Sequence, residues 1–129
     1  PDGEQIVFLS HLDENYEICV MDRDGGNLRR LTHTPDGNYQ PRFSPDGKQI
    51  VFISNQNNDY ELFMMDSDGL NRRQLTNSIG VNLEPRFSPN GNQLVFTSDR
   101  QGYMRVYTMN LDQQVSKAAL SQRLQLVLR

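Results

Sequence analysis

The sequence predicts an all-β chain assembled from consecutive four-stranded antiparallel sheets, and three observations carry that prediction. First, the chain repeats itself. Residues 1–44, from PDGEQIVFLS to YQPRFS, align without a gap on residues 45–88, from PDGKQIVFIS to LEPRFS, and a third copy opens at Pro89 as PNGNQLVFTSDR. Second, the apolar residues of each copy fall in short blocks bounded by Gly, Pro, Asn and Asp, which is the spacing of strands and turns rather than of helices. Third, two blocks per copy are apolar at consecutive positions, as in Ile50-Val51-Phe52-Ile53, so both faces of each sheet are expected to be covered.

The elements follow in order within the second copy. PRFS, at Pro41–Ser44 and again at Pro85–Ser88, is an inner strand, and the Pro-Asp-Gly after Ser44 supplies a tight turn. Gln49–Ser54 is the next strand. An Asn/Asp-rich loop then leads to Glu61–Asp66, and Ser67-Asp68-Gly69 turns the chain into a last strand within RRQLT. The first copy begins after the position of the inner strand and lacks it. The third copy matches clearly as far as Asp112; one inserted residue then brings Leu120-Ser121 under Leu75-Thr76 and Leu31-Thr32. The expected organisation is one domain over 1–129, with repeats 1–44, 45–88 and 89–121. Residues 122–129 alternate Leu124, Leu126 and Leu128 with other side chains, the pattern of a strand that completes a blade lacking one. A helix over 113–129, favoured by Ala118, Ala119 and Leu120, is the competing reading.

Four-stranded antiparallel units repeated every 44 residues and covered on both faces describe the blades of a β-propeller. The residues PRFSPDGKQIVFIS, ELFMMDSDG and RRQLT resemble the WD-like repeat of the TolB family, found also in propellers of prolyl-oligopeptidase-type peptidases. The resemblance spans residues 1 to about 112, with Phe43 and Phe87 where the family usually has tryptophan. Three blades are too few to close a ring. The expected architecture is half of a six-bladed propeller closed by homodimerisation, each C-terminal strand completing the other copy's first blade. An engineered or excised piece of a longer propeller chain is the other reading, consistent with a sequence that starts at Pro1. The resemblance implies a non-catalytic scaffold for protein or peptide binding in a bacterial protein, periplasmic or secreted. Its alternative is the non-catalytic propeller of a prolyl-oligopeptidase-like hydrolase.

Thirteen basic against sixteen acidic residues, net charge −3, provide no cationic stripe for nucleic acid, and no apolar run is long enough to span a membrane. No Gly-x-Ser-x-Gly is present, so catalysis is not expected. No cofactor or metal is expected either. His11 and His33 have no second ligand near them in sequence, and Asp22-Arg23-Asp24-Gly25 and Asp66-Ser67-Asp68-Gly69 lack the later carboxylate of a calcium loop. These aspartates read instead as acceptors for turn amides, with Gly25 and Gly69 at positive φ, and Cys19 reads as an inert buried residue.

The family geometry implies that one face gathers the loops at 33–40, 77–84, 13–15, 57–59 and 100–102. The partner-binding candidates lie there or on the adjoining inner strands: Asn38, Tyr39, Gln40, Arg42, Asp59, Asn82, Leu83, Glu84, Arg86 and Arg100. For Arg42 and Arg86 two readings stand, cations offered to a partner's carboxylates or internal pairs with an acid such as Glu84.

Overall fold

The computed structural model describes residues 1–78, 80–111 and, for the backbone, 124–126, and every structural statement below refers to these. They form three antiparallel sheets. The first contains β1 (Gln5–Leu12), β2 (Asn15–Asp22) and β3 (Arg29–Arg30) in that order. The second runs β4 (Asn38–Phe43), β5 (Gln49–Ser54), β6 (Glu61–Asp66), β7 (Arg73–Gln74), and the third runs β8 (Asn82–Phe87), β9 (Gln93–Ser98), β10 (Arg105–Asn110), β11 (Leu124–Leu126). The only helical element is a 3₁₀ turn at Gln56–Asn58, and no helix is long and apolar enough to cross a membrane.

The unbroken apolar runs of β5 and β6 are explained by what lies on either side of the second sheet. Alternate residues Ile50, Phe52, Phe63 and Met65 join Ile18 of the first sheet in one core. The intervening Val51, Ile53, Leu62 and Met64 join Leu94, Phe96, Tyr107 and Met109 of the third in another. Sheets are thus stacked as blades. The ends of the stack are open: Ile6, on β1, is 41% exposed and Val95, on β9, is 38% exposed, whereas their counterparts Ile50 and Val51 in the middle blade are fully buried.

The inner strands β4 and β8 share an irregularity. Pairing with the next strand shifts between Tyr39 and Arg42 and again between Leu83 and Arg86. Gln40 and Glu84 occupy these bulges in the left-handed region, with φ of 50° and 53°. The Glu84 amide donates to Oε1 of Gln40 at 2.7 Å, which joins the two inner strands across the blade boundary.

The C-terminal strand departs from expectation. Leu124–Leu126 pair antiparallel with β10, Met109 opposite Leu124 and Tyr107 opposite Leu126, in the outer position that β3 and β7 hold in the other blades. Within the single chain these residues complete the third sheet. The free backbone groups of β10 lie in the same chain and are reached at a lower closure cost than those of a second molecule. The helical reading of 113–129 is contradicted at 124–126, and its remainder lies outside the described residues.

Candidate functional site

A buried joint recurs at each blade boundary. Glu17, Thr32 and Asn38 are repeated 44 residues on as Glu61, Thr76 and Asn82, and all six are buried. Thr76 accepts the Leu62 amide at 2.8 Å and donates its hydroxyl proton to Oε2 of Glu61. Glu61 also accepts the Ser78 amide at 2.7 Å and the side-chain amide of Asn82, from the next blade's inner strand, at 2.9 Å. Glu17 repeats the arrangement with Thr32 and Asn38 and adds Arg30 at 3.0 Å, which also pairs with Asp13. Burial pushes the Glu61 carboxyl above its usual range, against the hydrogen bonds from Thr76 and Ser78.

Each joint is sealed by an arginine. Arg72 lies over Phe63 at 4.5 Å and Phe52 at 5.2 Å and donates to Ser54 Oγ at 3.1 Å. Arg100 lies over Tyr107 at 4.8 Å and Phe96 at 5.5 Å and donates to Ser98 Oγ at 3.0 Å and Asn82 Oδ1 at 2.7 Å. The two guanidinium groups come from different loops yet occupy corresponding positions over an aromatic pair. Asn38, Asn82 and Arg100, singled out in the sequence as surface contacts, are therefore components of the blade joints. Glu17, Glu61 and Arg72 were missed, although the 44-residue recurrence of Glu, Thr and Asn carried the signal.

The loop face presents a different chemistry. A two-residue turn at Asp13-Glu14 joins β1 to β2, with both residues at positive φ, 50° and 67°, as a type I′ hairpin demands. It places Tyr16 beside Tyr39, and Tyr39 beside Tyr60, with ring centroids 5.5 and 6.0 Å apart; His11 meets the free edge of Tyr16 at 5.0 Å. This aromatic row crosses from the first blade to the second. Burial, and secondarily the neighbouring Tyr60 and Tyr16, push the Tyr39 phenol up, so it remains neutral. Next to the row opens a cavity of about 380 Å³, lined among others by Glu14, Tyr16, Asp36, Tyr39 and Asn55. Gly37 also lines it, and a Cβ there would fall 2.2 Å from the Tyr39 hydroxyl.

The other sequence candidates sort by exposure. Arg42 and Arg86 are exposed on the inner strands, and neither forms an ion pair among the described residues. Pairing with Glu84, which sits in the left-handed bulge of β8, is not made. Asp59 and Glu84 are exposed, and Tyr39, Gln40 and Leu83 are half-buried.

On the opposite face the polar groups are satisfied locally. Asp24 and Asp68 accept the amides two residues on, Asp22 and Asp66 accept from Asn27 and Asn71, and Gly25 and Gly69 take φ of 87° and 89°. Asp46 accepts from Ser44 Oγ and the Lys48 amide, which lower its pKa, and Asn90 repeats that geometry with Ser88 and Asn92. Among the described residues no three His, Cys, Asp or Glu side chains converge as a metal site would require. Burial pushes the Cys19 thiol up, so it remains an unreactive thiol in the core.

Comparison with known proteins places this geometry. The profile of the TolB beta propeller domain matches residues 1–124. The structure superposes on a protein assigned as a TolB in Agrobacterium tumefaciens with a TM-score of 0.83 and 27% identity, over 99% of this chain and 46% of that one. TolB from Acinetobacter baumannii gives 0.79 and 30% identity, over 89% of this chain and 29% of that one. The chain thus spans less than half the length of either. Dipeptidyl peptidase 4 from Porphyromonas gingivalis shares the fold at 18% identity, with a TM-score of 0.68 over 95% of this chain and 18% of that one. Among curated proteins none matches. With three stacked antiparallel sheets, their recurring joints and a profile match across nearly its whole length, the chain belongs to the TolB beta propeller domain family.

Proposed function

We propose that the chain is a non-catalytic scaffold that binds a protein or peptide partner on its loop face. The observation that carries this reading is the contrast between the two faces. Each face has a cavity, about 550 Å³ beside Asp22–Asp24 and about 380 Å³ beside Tyr39. The turns at Asp22–Asn27 and Asp66–Asn71, however, hold their carboxylates in hydrogen bonds within the turn, whereas the loop face carries the Tyr16–Tyr39–Tyr60 row and, on the adjoining inner strands, the exposed Arg42 and Arg86, which join no ion pair among the described residues. Aromatic side chains and arginines are the residue types that dominate protein recognition. Action in or beyond a bacterial periplasm accompanies this proposal through the likeness to TolB proteins.

The test is a peptide selected from a random display library on the immobilised chain. Its affinity is expected to fall at least about tenfold when Arg42 and Arg86 are both changed to Glu, and to survive Asp24→Lys on the opposite face. The reverse pattern would remove the reading.

The open flanks at Ile6 and Val95 support closure by a second three-bladed half, as a two-fold ring. Light scattering is expected to give a molar mass near twice 14.9 kDa. A stable species at 14.9 kDa would contradict closure by pairing.

A further inference from the structure

We propose that the cavity between the first two blades is a pocket for the cationic head of an arginine or lysine side chain. The proposal rests on the loop-face reading for its source, a basic residue in the partner peptide, but the pocket's chemistry stands separately. Two carboxylates, Glu14 and Asp36, border the cavity, and no Lys, Arg or His lines it. Among the described residues neither carboxylate accepts a hydrogen bond or joins an ion pair. The cation nearest in effect is Arg72, whose half-buried guanidinium feels Asp36 but is held over Phe52 and Phe63.

A third acceptor points the same way. Asn55, half-buried, also lines the cavity, and its Oδ1 receives no donor among the described residues. Asn55 is held in place by its amide, which donates to the Gly37 carbonyl at 3.1 Å. Tyr16, 43% exposed, and Tyr39 supply aromatic faces next to these acceptors. Acceptors, two carboxylates outside any ion pair among the described residues, and π faces around a volume of about 380 Å³ suit a group that carries positive charge, several N–H donors and an apolar stem. A neutral sugar would use the aromatic faces but leave the two carboxylates unpaired.

The test titrates the whole chain with Nα-acetyl-arginine methylamide and with the corresponding citrulline compound, which has nearly the same shape and no charge, following amide shifts by NMR. The arginine probe is expected to shift Gly37 and the Asn55 side-chain amide saturably, with half-saturation at least about fivefold lower than citrulline. Glu14→Gly supplies a variant that cannot be dismissed as misfolded. Glycine tolerates the left-handed conformation that Glu14 is forced to adopt at φ 67°, so the variant is expected to melt about 4 °C higher while losing most of the preference for arginine. Equal responses to both probes, no shift up to about 20 mM, or an undiminished preference in Glu14→Gly would overturn the proposal. Because no selected peptide is involved, loss of the loop-face reading and loss of the cation pocket would be told apart.

Discussion

Phe52→Ala is expected to lower the free energy of unfolding by about 4 kcal/mol, seen as a lower urea midpoint at an unchanged slope. Phe52 is fully buried and stacked on Phe63 with ring centroids 5.8 Å apart, in the core where the second blade meets the first. Its removal deletes apolar area and leaves a void that the rigid sheets on either side cannot collapse to fill. It also strips one aromatic face from beneath Arg72, so the half-buried guanidinium loses part of its favourable surroundings. A loss below about 1 kcal/mol would mean that the blade boundary is not a packed core.

Glu61→Gln is expected to cost about 2 kcal/mol despite being nearly isosteric. All three partners of Glu61 are donors: the Ser78 amide, the Thr76 hydroxyl and the Asn82 side-chain amide. A glutamine must turn its own NH₂ towards one of them, leaving two buried donors face to face. The pH dependence separates the carboxylate from its shape. Burial raises the folded pKa of Glu61 above its ordinary value near 4.5, so the folded protein keeps that proton to higher pH than the unfolded chain. Stability contributed by this group is therefore lost as pH rises from about 4.5 through the folded pKa, and Glu61→Gln is expected to remove that slope. Urea titrations of both proteins between pH 4 and pH 8 read the difference.

The blade architecture was legible because it is written in local patterns. Runs such as Ile50-Val51-Phe52-Ile53 demand cover on two faces, and Pro-Asp-Gly and Asp-x-Asp-Gly mark turns whose aspartates bind amides two residues on, as Asp46 and Asp68 do. The joints were not legible in the same way. Glu61, Thr76 and Asn82 lie up to 21 residues apart, and although all three recur at 44 residues, recurrence alone does not distinguish a buried Glu on a strand from a solvated one. Arg72 and Arg100 were harder still, since they do the same work from non-equivalent positions, and repeat alignment hides the correspondence. The aromatic row was half visible: Tyr16 and Tyr60 are repeat equivalents, but Tyr39 enters between them only because the blades are stacked. The C-terminal segment was legible as a strand, but its pairing with β10 was not, because alternation reports that a segment pairs and says nothing of its neighbour.

The central claim is that partners dock on the loop face, and its most direct test is the footprint of a selected peptide on the amide NMR spectrum of the whole chain. The account predicts shifts concentrated at Glu14–Tyr16, Asp36–Arg42, Asn55–Tyr60 and Asn82–Arg86, with the turns at Asp22–Asn27 and Asp66–Asn71 unmoved. A footprint centred on those two turns would contradict it.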